Sequence, residues 1–193
     1  RCCIVSIDDL YLTKTQRQEL AQSIHPLLLT RGVPGTHDVA LGLQLFEKLK
    51  KATTNSCTPV PRFDKAADDR APEHLWDEFN GRPDLILFEG WCVGAAAQAA
   101  EGLDGSVNSL EALEDADNIW RCYVNQCLKE NYPPLFNQLD LLLMLKIPHW
   151  EMVLRWRSNQ EERLALSRSG SGVMDKAALQ RFVMHYERLT RYQ

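Results

Sequence analysis

Two neighbouring carboxylates and a phenol follow the first apolar run of the chain. Residues 2–5 are typical of a buried parallel strand, and Ser6-Ile7-Asp8-Asp9-Leu10-Tyr11 comes directly after them. Open α/β sheets bind their ligands beyond the carboxyl ends of parallel strands. A carboxylate in that place could accept a hydroxyl proton during group transfer. The alternative interpretation is an acidic turn that caps the next helix.

Three further segments carry polar groups suited to ligand binding. A second apolar run, residues 85–88, ends in Glu89-Gly90. The Gly- and Pro-containing loop 31–38 offers a guanidinium fork for a carboxylate at Arg31 and an imidazole at His37, although a solvent-facing histidine is the alternative there. We expect Asp38 to cap the following helix and Asp68 and Asp69 to lie in a solvated loop. A charged cluster follows Pro61 and consists of Arg62, Asp64, Lys65 and Arg70.

These motifs, in this order, resemble the D-glycerate 3-kinase family of P-loop kinases, which is related to the uridine kinase, phosphoribulokinase and bacterial pantothenate kinase group. The resemblance covers nearly the whole chain, through His185-Tyr186-Glu187-Arg188-Leu189-Thr190. It implies an α/β fold with a P-loop-kinase-like parallel sheet flanked by helices, and a small helical lid at about residues 149–175. The implied activity is ATP-dependent phosphorylation of a small hydroxylated acid, with D-glycerate as the acceptor and with ATP and Mg²⁺ as cofactors.

The resemblance also implies roles for individual residues. Asp8 matches the carboxylate that takes the hydroxyl proton, and Glu89 matches the acid that binds Mg²⁺, usually through water. Asp9 is a second candidate for the metal, with a purely structural turn as its alternative. A lid arginine, Arg155, is expected to stabilise the transferring phosphate, although a plain amphipathic surface helix is the alternative for that segment. The implied acceptor-binding residues are Tyr11, Arg31, His37, Arg62, Asp64, Lys65 and Arg70, and the implied nucleotide-binding residues are Gly90, Arg157 and Arg163.

The phosphate loop of such kinases, G-x-x-x-x-G-K-[ST], has no match, because the sequence contains no Gly-Lys dipeptide and begins at Arg1 beside the first apolar run. We therefore interpret the chain as a fragment whose first strand and P-loop are missing, and we expect it to be inactive alone. A complete but degenerate protein is the alternative. Two other functions stay open: a kinase for another small metabolite, such as a nucleoside or a pantothenate-like alcohol, and a non-catalytic ligand-binding module.

Composition narrows the class of protein. With 193 residues, of which 45% are hydrophobic, the chain suits a single kinase-like domain over residues 1–193. A net charge of -4 argues against a nucleic-acid partner, and no apolar run approaches the roughly 18 residues of a membrane span. The six cysteines lack metal-ligand spacing, so we expect reduced thiols and a cytoplasmic location. The oligomeric state stays open.

Apolar runs alternate with helical patterns along the chain. We predict one parallel sheet of three strands, at residues 2–7, 84–89 and 141–147. Helices are predicted at 14–24 after a Thr13 cap, from the Asp38 cap to residue 51, at 118–139 with a break near Pro133-Pro134, at 149–166, and from Asp175 onward. Residues 53–61 and 167–172 are predicted as loops, and 95–100 as a short helix.

Overall fold

The computed structural model describes residues 1–167 and 174–193, in which helices surround short strands. The strands are β1 (Cys2–Ser6), β2 (Cys57–Val60), β3 (Phe63–Asp64), β4 (Asp69–Arg70), β5 (Asp77–Asn80) and β6 (Leu85–Glu89). The helices are α1 (Lys14–Ser23), α2 (Val39–Lys51), α3 (Ser109–Glu114), α4 (Ile119–Glu130), α5 (Pro133–Phe136), α6 (Glu151–Ser167) and α7 (Lys176–Tyr192). Short 3-10 turns lie at Ile7–Leu10, Pro26–Leu29, Glu73–Leu75 and Ala100–Leu103.

A parallel pair of strands, β1 and β6, forms the central sheet. Its register runs from Cys2 opposite Leu85 to Ser6 opposite Glu89. One face packs into the main core, where Phe88 meets Phe46 of α2 edge to face with ring centroids 5.1 Å apart. On the other face Ile4, Leu85 and Leu87 are exposed. The predicted α/β fold with a parallel sheet and flanking helices is confirmed.

The third predicted strand, at residues 141–147, is wrong. This segment is irregular and largely exposed, with Leu145 at 89%. Its apolar composition is that of a strand, but a strand also needs a neighbour to supply ladder hydrogen bonds. Among the described residues no strand pairs with this segment. The apolar run alone therefore did not determine its conformation.

Local capping signals predicted three helices well. Thr13 and Gln16 form a capping box at the start of α1, which ends just before the His25-Pro26 step. The Asp38 side chain accepts a hydrogen bond from the amide of Leu41 at the start of α2. Asp175 caps α7 in the same way, through the amide of Ala178.

The remaining sequence predictions had mixed outcomes. The break near Pro133-Pro134 separates α4 from α5 as predicted, and α6 covers the predicted basic helix. The loop prediction for residues 53–61 is wrong over β2, which pairs antiparallel with β5. Residues 95–99 contain no helix, because the only regular turn there begins at Ala100. Residues 168–172 of the predicted second loop lie outside the described residues. No helix in the described part of the chain combines the length and apolarity of a membrane span.

Candidate active site

Asp8 projects from the 3-10 turn that follows β1. Ile7 and Leu10 of this turn are fully buried, so the turn is anchored by its apolar residues and Asp8 is left at the edge of the sheet. Its Oδ1 accepts a hydrogen bond from the Tyr11 hydroxyl at 2.8 Å, and its Oδ2 accepts one from Lys65 Nζ at 2.8 Å. Burial acts to raise the pKa of Asp8, but Lys65 and the Tyr11 hydroxyl outweigh it and lower that pKa. The carboxyl group is therefore ionised at neutral pH.

Glu89 lies at the same end of the sheet as Asp8. It is the last residue of β6 and is paired in register with Ser6, two residues before Asp8. Its side chain is exposed. The next residue, Gly90, has φ 148°, and a Cβ there would overlap Cγ2 of Ile7. Gly90 therefore lets the chain turn closely around the Asp8 segment.

Metal binding at this edge stays a prediction. Within residues 1–167 and 174–193, no group of three or more His, Cys, Asp or Glu is arranged to hold an ion. A single carboxylate such as Glu89 suits Mg²⁺ only together with waters and substrate phosphates. Asp9 is already engaged, because Oδ1 accepts from the Phe63 amide at 3.0 Å and Oδ2 from Arg62 Nη1 at 2.6 Å. Asp9 therefore links β3 to the 3-10 turn that follows β1.

The charged cluster after Pro61 divides into one residue that reaches Asp8 and others that shape the loop. Asp64 Oδ1 accepts hydrogen bonds from the amides of Ala66 and Ala67, which closes the turn between β3 and β4. Arg70 Nη2 donates to the Tyr11 carbonyl at 2.8 Å and to Asp38 Oδ2 at 3.0 Å. The loop held in this way carries Lys65 to Asp8.

A fully buried arginine, Arg17 of α1, ties this loop to the body of the protein. Its guanidinium donates to the carbonyls of Leu12 at 3.3 Å, Leu29 at 2.7 Å and Asp68 at 2.5 Å. Asp68 has φ 55°, and its carboxylate pairs with both Arg17 and Arg31. The expectation of a solvated loop is wrong for Asp68, since its carboxylate forms ion pairs with both arginines. It is wrong for Asp69 as well, whose Oδ1 accepts from the Lys14 amide at 2.8 Å.

Arg31 and His37 are held at opposite ends of the Gly- and Pro-containing loop. The Arg31 guanidinium lies 5.3 Å from the centre of the Phe63 ring, beside its partner Asp68. His37 is only 6% exposed, so the solvent-facing alternative is wrong. Its ring stacks on that of Tyr11 with centroids 4.6 Å apart, and burial lowers its pKa to about 3. Tyr11 therefore contacts both Asp8 and His37.

Tyr186 of α7 lies against the Gly- and Pro-containing loop. Its hydroxyl donates to the Arg31 carbonyl at 3.3 Å, and its ring meets that of Trp91 with centroids 4.7 Å apart. Gly32, with φ 134°, makes room for it, since a Cβ there would overlap the Tyr186 hydroxyl. Burial and the charge of Asp8 raise the pKa of Tyr186, while Arg31 acts to lower it. Both charged groups are thus near one phenol.

The predicted lid arginines lie in two different environments on α6. Arg157 packs against α7, with its guanidinium 5.4 Å from the centre of the Phe182 ring and 3.0 Å from Glu161. Arg155 and Arg163 are exposed. Arg155 and Arg163 are eight residues apart and so lie on roughly one face of α6, whereas Arg157 lies on another. Their contacts with phosphate stay predictions.

Comparisons with known proteins support the family suggested by the motifs. A kinase of fission yeast, Schizosaccharomyces pombe, described as the uncharacterized kinase mug58, is 32% identical over 94% of this chain and 66% of its own length. The chloroplastic D-glycerate 3-kinase of Arabidopsis thaliana is 31% identical over 94% of this chain and 39% of its own. The structure of a D-glycerate 3-kinase from Cryptococcus neoformans superposes with a TM-score of 0.83 at 28% identity, covering all of this chain and 68% of that one. The chain belongs to the glycerate kinase family.

No family model matches the sequence, so the assignment rests on these individual relatives. The chain spans 66% of the length of the fission yeast relative and 39% of the length of the Arabidopsis relative. The superposition on the Cryptococcus structure covers all of this chain, so it includes the whole Asp8 cluster.

Sequence reasoning missed three residues that organise the site of this glycerate kinase family member. Tyr186 lies within a motif that carried the resemblance, but nothing in its spacing indicated a contact with Arg31. Arg17 lies on the helix predicted at 14–24, for which the sequence indicated only the Thr13 cap. Tyr132, whose hydroxyl lies 2.6 Å from Nδ1 of His37, directly precedes Pro133-Pro134, which marked a helix break rather than a site. In each case the partner is distant in sequence, so only the fold shows the contact.

Proposed function

We propose that this chain forms the acceptor side of an ATP-dependent kinase that phosphorylates a small hydroxylated acid, with D-glycerate as the expected acceptor. The observation that carries the proposal is the ionised carboxylate of Asp8 at the end of a parallel strand, held by Lys65 and the Tyr11 hydroxyl. The similarity to D-glycerate 3-kinases of Arabidopsis and Cryptococcus supports this choice of acceptor.

Asp8 suits the proton-accepting step of phosphoryl transfer. The acceptor hydroxyl oxygen forms a bond to the γ-phosphorus, the bond from that phosphorus to the bridging oxygen of ADP breaks, and the hydroxyl proton passes to the carboxylate. Because the transition state of such reactions is loose, the proton leaves late and a strong base is not needed. A carboxylate with a lowered pKa can therefore serve, since it is ionised and fixed in position.

Arg31 suits the carboxylate of the acceptor. Asp68 pairs with Nη1 of its guanidinium, while within the described residues neither Nε nor Nη2 of Arg31 donates a hydrogen bond. A guanidinium presents its donors as a planar fork that matches a carboxylate. The stacking on Phe63 keeps that fork in one orientation. An acid with a hydroxyl group a few bonds away could then reach both Arg31 and Asp8.

The nucleotide side of the reaction is assigned more coarsely. ATP and Mg²⁺ are the proposed cofactors; Glu89 would hold the metal through water, and the lid segment at residues 149–175 would cover the nucleotide, with Arg155, Arg157 and Arg163 as its cations. We also propose that residues 1–193 form a single catalytic domain and that the protein is located in the cytoplasm. The name of the Arabidopsis relative assigns that protein to the chloroplast.

The test compares matched variants of the full-length protein in an assay that couples ADP release to NADH oxidation. We expect Asp8→Asn to lower kcat about 10²- to 10⁴-fold and to leave the KM for ATP nearly unchanged, because the general base acts on the acceptor. Asp104→Asn, at an exposed carboxylate far along the chain, is the control and should change kcat less than twofold, about 0.4 kcal/mol. Equal activity of the two variants would refute the assignment of Asp8.

The acceptor is tested separately from the base. D-glycerate, a nucleoside and pantothenate are compared at equal concentration, and we expect phosphorylation of D-glycerate only. A preference for the nucleoside or for pantothenate would show that D-glycerate is not the acceptor, but it would still support a kinase. Turnover of none of them, together with no binding of any by calorimetry, would refute the kinase proposal.

A further inference from the structure

The hydrogen bonds around Tyr132 fix the position of one proton on His37. The Tyr132 hydroxyl accepts from the Gly35 amide at 2.9 Å and lies 2.6 Å from Nδ1 of His37. An amide can only donate, so the single hydroxyl hydrogen is available for Nδ1. If Nδ1 carried its own proton, the hydroxyl hydrogen of the fully buried Tyr132 would need another acceptor, and the described residues supply none. Nδ1 is therefore the acceptor.

The other nitrogen of His37 must then carry the ring proton. The imidazole is neutral, because its burial lowers the pKa to about 3, so with Nδ1 unprotonated the proton is on Nε2. Nε2 is buried and has no hydrogen-bond partner in the described part of the chain. A buried donor without an acceptor costs about 1–3 kcal/mol, and native structures rarely leave one. The Nε2–H group of His37 is therefore a buried donor without an acceptor among the described residues.

The His37 imidazole lies near Asp8, the proposed base. The His37 ring stacks on Tyr11 with an interplanar angle of 23°, and the Tyr11 hydroxyl donates to Asp8. Asp8 is near enough for its charge to act on the imidazole. A molecule that reaches Asp8 with one hydroxyl group would therefore bring its neighbouring atoms towards His37.

We propose that the Nε2–H of His37 donates a hydrogen bond to the non-reacting hydroxyl of a dihydroxy acid, and that Tyr132 is the positioning residue that keeps the proton on Nε2. This inference rests on the proposed function. It gives each polar group of the acceptor one partner: the carboxylate binds Arg31, the reacting hydroxyl binds Asp8, and the second hydroxyl binds His37. An ammonium group in place of the second hydroxyl would be rejected, because two donors would then face each other.

The first test measures the tautomer of His37 directly and needs no enzyme activity. The chain is labelled with ¹⁵N-histidine, and its five imidazoles are followed by two-dimensional ¹H–¹⁵N NMR from pH 5 to pH 8. For His37 we expect a protonated Nε2, an unprotonated Nδ1 and no titration over this range. A protonated Nδ1, or a cationic ring at pH 7, would overturn the proposal.

A matched pair of tyrosine variants tests the role of Tyr132. Tyr132→Phe should move proton population from Nε2 to Nδ1, because the donor to Nδ1 is lost. Tyr123→Phe removes a hydroxyl from another ring that lies next to Gly35, and it should leave the His37 signals unchanged. A tautomer that is unaffected by Tyr132→Phe would show that Tyr132 does not position the proton.

The second test asks whether the second hydroxyl is the ligand. In the full-length protein, His37→Leu should lower kcat/KM for D-glycerate about tenfold, mainly through KM, while kcat/KM for 3-hydroxypropionate, which lacks that hydroxyl, should change less than twofold. His37→Gln should recover part of the loss, because its amide can donate from a similar position. Equal losses for both acids would overturn the assignment. Failure of the wild type to phosphorylate any hydroxy acid would remove the proposed function and this hydroxyl contact, while the tautomer measurement would still decide the role of Tyr132.

Discussion

Replacement of the buried arginine of α1 provides the sharpest test of how the site is built. Arg17→Met keeps a long apolar stem but removes the guanidinium, which is 0% exposed. Three carbonyl oxygens, those of Leu12, Leu29 and Asp68, lose their donor, and the Asp68 carboxylate loses a cation 3.1 Å away. The Arg17 guanidinium is closed off from solvent, so water cannot readily take its place beside the three carbonyls.

The expected loss in the free energy of unfolding is about 4 kcal/mol. Removal of one partner from a buried ion pair costs about 3–5 kcal/mol, and a buried acceptor left without a donor costs about 1–3 kcal/mol. Because Asp68 is partly exposed and can be hydrated, we take the middle of the first range rather than the sum. A domain of ordinary stability, about 5–15 kcal/mol, would remain folded in most of that range.

The assay is equilibrium unfolding in urea, followed by circular dichroism and tryptophan fluorescence. With a slope of about 2 kcal/mol per molar urea, the midpoint should fall by about 2 M. Arg181→Met is the matched control, since Arg181 also makes two hydrogen bonds, to Glu114, but half of its side chain is exposed. That control should cost no more than about 1 kcal/mol. Equal losses for the two variants would refute the view that Arg17 anchors the loop which carries Lys65.

Three further predictions concern backbone geometry, pH and capping. Gly32→Ala should destabilise the chain by about 1–3 kcal/mol, because φ is 134° and Tyr186 occupies the space of the new methyl group. Gly105→Ala, where no atom lies within 4 Å of the new methyl group, should be nearly neutral. Similar melting temperatures of the two variants would contradict this prediction. The pKa of His37 is about 3 in the folded chain and near 6.5 in the unfolded chain, so the free energy of unfolding should fall as the pH drops from about 6.5 towards 3. The slope should be up to about 1.4 kcal/mol per pH unit, and His37→Gln should remove it. Parallel pH profiles of the two proteins would refute this prediction. Asp175→Ala should cost about 1 kcal/mol in urea unfolding through loss of the α7 cap, and no measurable cost would argue against that cap.

Sequence alone predicted the features that depend on neighbouring residues. The caps at Thr13, Asp38 and Asp175 were predictable because each involves groups within three residues of one another. The contact of Tyr11 with Asp8 is equally local, but the sequence analysis did not predict it. The resemblance to the kinase family, which rests on the order of the motifs, predicted the parallel sheet. These features place Asp8 at the carboxyl end of a strand.

The features that failed, or were missed, depend on distant partners. Residues 141–147 have the composition of a strand, but pairing decides whether a strand forms, and no described strand pairs with them. The contacts of Lys65 with Asp8 and of Tyr132 with His37 join residues 57 and 95 positions apart. No pattern within a short window indicates them. The burial of His37 likewise follows from packing that a loop sequence does not show.

The parallel pairing of β1 with β6 also bears on how the protein is made. Cys2 pairs with Leu85, so the strand that leads into the Asp8 turn and the strand that ends at Glu89 are 83 residues apart in the chain. Closing a loop of that length costs about 4 kcal/mol of chain entropy, and the contacts within the strand pair offset this cost only once both strands are present. During synthesis β1 therefore leaves the ribosome before β6 is made, and Val5 stays without its β6 neighbour until the codons for β6 have been translated. At about 5–20 residues per second this interval lasts several seconds, in which the nascent chain is open to capture by chaperones.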